Sequence, residues 1–284
     1  MSDKTNRGNF FEDFVPGQVL RHATPRTVTE GEIALYTALY GNRFGVKENS
    51  NGKTGVVWVR TTGTNQRGED VLSYVRWVMV RKGDEATPAP APQVPDLPAA
   101  VAAEDLAVPE SLNLAAYDEI AAGSAHFWDD YAVGEMIDHV DGMTLEEAEH
   151  MLATRLYQNT AKVHFDLHAQ SGGRFGKRLI YGGHIISLAR GLSFNGLANA
   201  FHIAAINGGR HVAPSFAGDT VYAWSEVLDK AALPGRDDVG ALRLRLVAAK
   251  DHPCADFPLK VADGKDHPAV VLDFDIWTLM PRRG

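Results

Sequence analysis

The chain contains an internal repeat, and this repeat limits the folds that the chain can adopt. Residues 10–42 align without a gap on residues 127–159, and ten of the 33 aligned positions are identical. The members of each identical pair are 117 positions apart: Phe10/Phe127, Asp13/Asp130, Gly17/Gly134, His22/His139, Thr27/Thr144, Glu30/Glu147, Glu32/Glu149, Leu39/Leu156, Tyr40/Tyr157 and Asn42/Asn159. A repeat with so long a period predicts two domains of one kind, because solenoids repeat in shorter units.

Composition and charge exclude several classes of protein. The 284 residues are 45% hydrophobic and 23% charged, which is typical of a soluble globular protein. The net charge of −8 argues against nucleic acid as a main partner, because phosphate binding needs a basic surface. The single cysteine, Cys254, excludes a disulfide framework and a multi-cysteine metal site. No stretch approaches the length of a membrane span, so we expect no membrane association and a cytoplasmic protein.

The segment between the two copies is rich in proline. Six prolines lie between Pro88 and Pro109. Proline removes a backbone donor and disfavours helix in the residue before it, so we expect an extended, semi-rigid linker on the surface. We therefore divide the chain into an incomplete N-terminal copy (residues 1–82), a linker (83–125), and a complete C-terminal copy that carries the active site (126–284).

Both copies have the same predicted opening helix. Thr27 stands three residues before Glu30, and Thr144 stands three residues before Glu147. This spacing predicts a capping box, in which the threonine and the glutamate satisfy the free amides at the start of a helix. The second of these helices is expected over residues 145–157, which are good helix formers with acidic residues in the first turn.

Both copies also have the same predicted closing strands. Residues 56–82 are rich in Val, Trp and Tyr around a glycine-containing turn, which predicts a hairpin. Residues 241–250 and 269–283 predict a second pair, and the alternation of Leu and Arg over 242–246 indicates one buried face.

Only the second copy has a middle part. Leu179 to Phe201 holds few charges and many small residues, which predicts a buried helix through the centre of a sheet, and a strand is expected over 206–228. The join between helix and closing strands is about 65 residues shorter in the first copy, which therefore lacks its central helix. Two explanations stay open: the second copy covers the exposed sheet face, or the chain is an abridged version of a longer one.

The order of these elements and several segments carry a resemblance to a known family. The segments include NFFEDFVPGQ, LSYVRWVMVRK, FWDDYAVGEMIDHVDGMTLEEAEH, RLYQNTAKVHFDLH and YGGHIISLARGLSFNGLANA. They resemble the MaoC-like, (R)-specific enoyl-CoA hydratases in their double-hotdog form, and most closely the branch that hydrates mesaconyl-CoA. The resemblance implies an α+β fold, in which antiparallel sheets wrap central helices, and a hydro-lyase that adds water to an acyl-CoA. CoA is then part of the substrate, and no cofactor or metal is expected.

The family's signature, Gly-Asp-x-Asn-Pro-x-His-x-Asp, is only half present in this chain. The equivalent run extends from Gln158 to Asp166, where His164 and Asp166 match but Asn159 replaces the catalytic Asp. His164 is the candidate general base because imidazole titrates near neutrality. Asn159 either positions the attacking water or closes the preceding helix, and Asp166 is either a second acid/base group or an N-cap.

The remaining candidates bind the thioester or CoA. The backbone amides of Gly182 and Gly183 would begin the buried helix and stabilise the enolate oxygen, with Gly183 as the main oxyanion donor. Among the nearby cations, Arg190 is buried in a neutral helix and Arg210 precedes a matching Pro-x-x-x-Gly-Asp-Thr run; both are candidate substrate or CoA contacts. His184 reads better as a packed residue.

Three other functions stay open from the sequence. They are hydration of other (R)-3-hydroxyacyl-CoA precursors, thioester hydrolysis, and acyl-CoA binding without catalysis. Residues 183–201 hold no carboxylate, which argues against a thioesterase that uses an acid on the central helix. We also expect the chain to form a homo-oligomer.

Overall fold

A computed structural model describes residues 11–21, 38–157, 159 and 161–283. The chain divides into two compact units, Met1–Leu97 and Pro98–Gly284. The division falls inside the proline-rich segment 83–125. In the described part of the chain, none of the helices has the length and apolar character needed to cross a membrane.

The N-terminal unit is an antiparallel sheet with the strand order β1-β2-β3-β4. A 3-10 turn at Phe11–Asp13 precedes the strands, which are β1 (Val19–Arg21), β2 (Ala38–Glu48), β3 (Thr54–Thr64) and β4 (Asp70–Arg81). Phe11 packs with Val46, Val57 and Val59 in a small core. The hairpin predicted over 56–82 is confirmed as β3 and β4. The capping box at Thr27 and Glu30 lies outside the described residues, and the described residues of this unit contain no α-helix.

The C-terminal unit has one larger antiparallel sheet and a buried helix. Its strands run in the order β5-β8-β9-β10-β7, and β6 also pairs with β8. The strands are β5 (Met136–Asp138), β6 (Met143–Thr144), β7 (His202–His211), β8 (Thr220–Ala232), β9 (Val239–Lys250) and β10 (Val270–Pro281). The helices are α1 (Glu119–Ala122), α2 (Glu147–Leu156), α3 (Lys162–Phe165), α4 (Leu167–Ser171), α5 (Gly182–Leu192) and α6 (Phe194–Leu197), with 3-10 turns at Ala103–Asp105 and Trp128–Asp130.

Helix α5 forms the centre of this unit because one of its faces is fully apolar. Ile185, Ala189 and Leu192 are buried and recur at helical spacing. They share a core with Leu242, Leu244 and Leu246 of β9. Burial of each large side chain of this kind stabilises the fold by about 1.5–3 kcal/mol.

The opposite face of β9 is polar, as its alternating sequence predicts. Arg243 pairs with Asp275 at 2.7 Å, and Arg245 pairs with Asp273 at 2.8 Å. The strand pair predicted from 241–250 and 269–283 is therefore confirmed, with leucines toward the helix and arginines away from it.

In the middle of this unit, the predicted bounds of the buried helix and of the following strand are both wrong. The buried helix ends at Leu192, well before Phe201, because Asn195 turns away from helical geometry and Gly196 adopts a φ of +97°. The backbone there bonds elsewhere: the Asn195 carbonyl meets His139 Nδ1 at 2.6 Å. The expected strand over 206–228 is two strands, β7 and β8, which a loop at 212–219 separates.

The capping box predicted at Thr144 is also wrong. Thr144 belongs to strand β6, and its hydroxyl bonds the Thr220 hydroxyl at 2.8 Å. Strand pairing holds Thr144 outside the helix, so Glu146 takes the N-cap position without a side-chain cap. The helix itself is confirmed over Glu147–Leu156.

The strand pairing shows where the two copies diverge. In the first unit Val19 lies opposite Asn42, and in the second Met136 lies opposite Glu226. Val19 and Met136 are 117 positions apart, like the repeat, but Asn42 and Glu226 are 184 apart, a difference of 67 positions. Asn42 therefore lies in a strand that corresponds to β8, although the sequence repeat aligns it with Asn159. Among its described residues, the first unit has no counterparts of α3, α4, α5 and β7.

The second half of the proline-rich segment packs on the C-terminal unit. Leu106 is buried in a cluster with Val239, Trp277 and Leu279. The Trp277 indole donates to the Val101 carbonyl at 3.0 Å, and the Val101 amide donates to Asn207 at 2.9 Å. Residues after Pro98 therefore cover the face of the sheet that α5 does not cover.

Replacement of Leu106 by alanine should measure how strongly this segment is attached. Leu106 is 8% exposed, and removal of a buried leucine side chain should lower the free energy of unfolding by about 2–4 kcal/mol. Leu97→Ala, at a position that is 44% exposed, is the control and should change it by less than about 0.5 kcal/mol. Urea denaturation followed by tryptophan fluorescence checks both values, and equal effects would contradict the packing.

Candidate active site

A short segment before helix α5 is held in place by three other parts of the unit. The Leu179 amide donates to the Val163 carbonyl at 3.0 Å, and the Ile180 amide donates to the Ser215 carbonyl at 2.9 Å. The Tyr181 amide donates to His150 Nε2 at 2.9 Å. Because consecutive amides are fixed in this way, the start of α5 has a defined position relative to α2 and α3.

His164 lies on α3 and faces this segment. Its Nδ1 is 2.9 Å from the Leu179 carbonyl oxygen. A carbonyl can only accept, so Nδ1 carries the hydrogen and Nε2 is left with a free lone pair. Burial lowers the pKa of His164 from its ordinary value, and the bond to Leu179 opposes this in part. The imidazole is therefore neutral at pH 7 and can accept a proton through Nε2.

His150 is a second ring in the cluster, and the sequence analysis did not identify it. It is buried on α2, with its ring centroid 6.4 Å from that of His164. Burial, and then the neighbouring His184 and His164, lower the pKa of His150 to about 4. Its Nε2 accepts from the Tyr181 amide, so His150 positions the chain as a neutral acceptor. A lone histidine on the buried face of a helix reads as core, which explains why it was missed.

His184 and His211 complete the group of histidines. The His184 ring lies 6.2 Å from that of His150, and its buried Nε2 has no hydrogen-bond partner among the described residues. His211 comes from β7 and is open to solvent on one side. Packing on its other side and the nearby His164 lower its pKa. The sequence did contain a signal for His211. Successive side chains of a strand point to opposite faces, so His211 on β7 faces away from the side that its neighbour Arg210 occupies.

The two glycines at the start of α5 are required by their neighbours. A Cβ on Gly182 would lie 2.3 Å from His211 Nε2, and a Cβ on Gly183 would lie 2.6 Å from the Tyr181 ring. As the first two amides of a helix, Gly182 and Gly183 have no acceptor within that helix. The helix start therefore offers two N–H donors beside His211 and Tyr181, as a developing oxyanion would need.

Asn159 and Asp166 lie on either side of α3 and bond the local backbone. Asn159 Oδ1 accepts from the Ala161 amide at 2.9 Å, which leaves its Nδ2 as a donor. Asp166 Oδ1 accepts from the Ala169 amide at 2.9 Å and caps α4. The Asp166 bond agrees with its N-cap alternative. For Asn159, the backbone amide, and not the side chain, bonds the end of α2, donating to the Thr154 carbonyl at 2.9 Å. The catalytic roles of both residues stay predictions.

In the described part of the chain, the hydrogen bonds of Arg190 and Arg210 go to residues outside the histidine cluster. Arg190 donates to Ser193 Oγ at 2.8 Å and to the Ala200 carbonyl, so it ties the end of α5 to the chain that enters β7. Arg210 forms two 2.6 Å bonds to Asp266, which raise its pKa. Both cations already have protein partners, and their proposed contacts with substrate stay predictions.

Comparison with known proteins places this chain in a family. The chain is 54% identical over 352 residues to beta-methylmalyl-CoA dehydratase of Chloroflexus aurantiacus, covering 100% of both chains. It is 52% identical to mesaconyl-CoA hydratase of Cereibacter sphaeroides, covering 98% of this chain and 100% of that protein. The chain belongs to the family of mesaconyl-CoA hydratases, or β-methylmalyl-CoA dehydratases. No protein-family model matches it.

Solved structures confirm the double-hotdog fold of this family member. A MaoC domain protein dehydratase from Chloroflexus aurantiacus has a TM-score of 0.94, with 52% identity and full coverage of both chains. A Mycobacterium tuberculosis protein with a double-hotdog fold has a TM-score of 0.68 at 20% identity, covering 97% of this chain and 99% of that one, which supports the fold alone.

The length of the alignment agrees with the shortened first unit. The comparison with the Chloroflexus dehydratase spans 352 positions, 68 more than the 284 residues of this chain. Strand pairing independently gives 67 positions between the repeat and β8 that have no counterpart in the N-terminal unit. The 68 additional alignment positions are thus close in number to the 67 positions by which the strand registers of the two units differ.

Protonation of His150 should make stability depend on pH. The pKa of about 4 lies below the ordinary 6.5, so between these values the unfolded chain binds more protons than the folded chain. The free energy of unfolding should therefore fall as the pH drops from 6.5 toward 4. His150→Gln keeps an acceptor for Tyr181 but does not titrate, and should reduce this loss by about 2 kcal/mol. Urea denaturation at several pH values measures the slope, and the exposed His126→Gln should leave it unchanged.

The same substitution at two glycines of α5 should have opposite effects. Gly182→Ala places a methyl group on His211 and should destabilise the protein by about 1–3 kcal/mol. Gly191→Ala meets no atom within 4 Å and should stabilise it by about 0.5–1 kcal/mol, since alanine favours helix. Thermal unfolding measures both; a neutral Gly182→Ala would show that the ring and the glycine are not in contact.

Proposed function

We propose that this protein catalyses the reversible hydration of mesaconyl-CoA (2-methylfumaryl-CoA) to β-methylmalyl-CoA. The observation that carries the proposal is the pairing of a neutral imidazole, whose Nε2 is free, with the unbonded amides that begin α5. A base and an oxyanion site are the two parts that addition of water to an unsaturated thioester requires. The full-length similarity to two proteins named for this reaction supports the same substrate.

His164 acts as the base for water. Nε2 takes a proton from water while the water oxygen forms a bond to the β-carbon. The electron pair of the double bond moves toward the thioester and places negative charge on its oxygen, where the Gly182 and Gly183 amides donate hydrogen bonds. The imidazolium then returns its proton to the α-carbon, and the products contain one added water. The reverse order eliminates water from β-methylmalyl-CoA.

Asn159 holds the attacking water in this scheme. A carboxamide cannot remove a proton from water at neutral pH, but it can orient the water. Its Oδ1 is occupied by the Ala161 amide, so Nδ2 is the atom that can donate to the water oxygen. Asp166 remains a second candidate for proton transfer, although it caps α4 in the structure.

Other reactions of the fold have less support. Helix α5 carries no Asp or Glu from Gly182 to Leu192, so a thioesterase acid on the central helix is absent from this unit. Hydration of acyl-CoAs without a second carboxylate is the closest rival. Initial rates with mesaconyl-CoA and with crotonyl-CoA separate the two, and a higher kcat/KM for crotonyl-CoA would overturn the proposed substrate.

Several further properties belong to the proposal. The substrate brings CoA with it, and the reaction as written uses no other cofactor. We infer that the enzyme acts in the cytoplasm as a homo-oligomer, without a nucleic-acid or membrane partner. Size-exclusion chromatography with light scattering tests the oligomeric state directly.

His164→Asn should abolish most of the activity, because an amide cannot accept a proton from water. We expect kcat to fall by about 10²-fold or more, while CoA-ester binding changes little. His168→Asn is the matched control: it lies four residues later, is exposed, and should retain activity within about twofold. Steady-state hydration of mesaconyl-CoA, followed by the loss of the ultraviolet absorbance of the conjugated thioester, measures kcat for both variants. If His164→Asn keeps its turnover, His164 is not the base.

A further inference from the structure

Tyr181 lies where the oxyanion site needs a second donor. It immediately precedes α5, and its ring folds back over Gly183. A Cβ built on Gly183 would lie 2.6 Å from Tyr181 Cζ and 2.7 Å from its hydroxyl oxygen. The phenol hydroxyl is therefore beside Gly183, the second residue of α5, on the side where a side chain would otherwise stand.

The Tyr181 hydroxyl has no hydrogen-bond partner in the described part of the chain. The described residues give the Tyr181 backbone its partners but supply none for the side-chain oxygen. The side chain is half-buried, so neither full burial nor free solvation accounts for its position. A half-buried phenol without a protein partner is available to a ligand, since tyrosine hydroxyls seek a partner when they are removed from water.

The same ring contacts the base. The centroids of Tyr181 and His164 are 5.7 Å apart, with the rings inclined at 66°. The Tyr181 amide is fixed by His150, and its carbonyl accepts from the His184 amide at 2.9 Å. The backbone of Tyr181 is thus held from both sides, which limits where its hydroxyl can point relative to His164 and Gly183.

We propose that Tyr181 is a further catalytic residue, whose hydroxyl donates a hydrogen bond to the thioester oxygen of the substrate alongside the Gly183 amide. This inference rests on the proposed hydratase function. The oxygen gains negative charge as water adds to the β-carbon, so both hydrogen bonds strengthen in the transition state. Tyr181 keeps its own proton throughout, and the reaction remains balanced as His164 moves the proton from water to the α-carbon.

The position of the hydroxyl favours the thioester over the second carboxylate of mesaconyl-CoA. That carboxylate is attached to the β-carbon, which receives water from His164, whereas the Tyr181 hydroxyl lies beside Gly183 at the helix start. A substrate without the second carboxylate should therefore need Tyr181 to the same extent.

Tyr181→Phe and Tyr222→Phe form a matched pair for the test. Tyr222 on β8 covers Gly142 in the same way, with a built Cβ 2.5 Å from its ring, but it packs in the separate cluster around Trp224. We expect Tyr181→Phe to lower kcat by about 10²-fold for both mesaconyl-CoA and crotonyl-CoA, with KM changed less than about threefold. Tyr222→Phe should stay within about twofold of the unsubstituted enzyme. Thermal unfolding checks that both variants fold. If Tyr181→Phe is unfolded, Tyr181→Met takes its place in the test.

A spectroscopic readout separates this inference from the proposed function. Butyryl-CoA cannot be hydrated, and the infrared stretching frequency of its bound thioester carbonyl falls when a hydrogen bond is donated to it. Tyr181→Phe should raise that frequency, and Tyr222→Phe should not. An unchanged frequency with unchanged kcat, a loss confined to mesaconyl-CoA, or no binding of butyryl-CoA would each overturn the role of Tyr181. An enzyme that binds butyryl-CoA with the expected shift but hydrates neither substrate would refute only the hydratase proposal.

Discussion

Leu179 is the residue on which the candidate site depends, because both of its backbone groups are used by α3. Its amide bonds the Val163 carbonyl, and its carbonyl accepts from His164 Nδ1. The first bond sets the distance between α3 and the segment before α5, and the second fixes the tautomer of the imidazole. One backbone residue thereby determines both where Nε2 lies and that Nε2 carries the lone pair, independently of the side chain at 179.

The histidines of the cluster serve different purposes, although all are kept neutral by burial. His150 uses its lone pair within the protein, on the Tyr181 amide, so it cannot act on a ligand without releasing α5. His164 uses only its N–H within the protein and keeps its lone pair free. A second unpaired atom, Nε2 of His184, is buried nearby. The difference in hydrogen bonding, and not in residue type, distinguishes His150, which holds the backbone, from His164, the proposed base.

The sequence predicted much of the C-terminal unit and less of the site. Alternation gave β9 with its leucines toward the helix, and the glycine-flanked apolar run gave α5. The predicted ends of helices were wrong where a residue distant in sequence determines the local backbone. Thr144 bonds Thr220, and the Asn195 carbonyl bonds His139. Likewise, the family signature located His164, Asn159 and Asp166 in one short segment, which the structure shows to be α3 and its two ends. The signature did not identify His150, Tyr181 or His211. These residues belong to α2, the start of α5 and β7, which come together only in the folded unit.

The replacement of the signature Asp by Asn159 is consistent with the electrostatics of His164. A nearby carboxylate favours the charged imidazolium and raises a histidine pKa. The influences found on His164 are burial, which lowers its pKa, and the Leu179 carbonyl, which raises it; no carboxylate contributes among the described residues. An amide at position 159 can still orient water but adds no charge. His164 therefore stays a neutral proton acceptor at pH 7, and in the proposed mechanism the donors around Gly183 stabilise the negative charge.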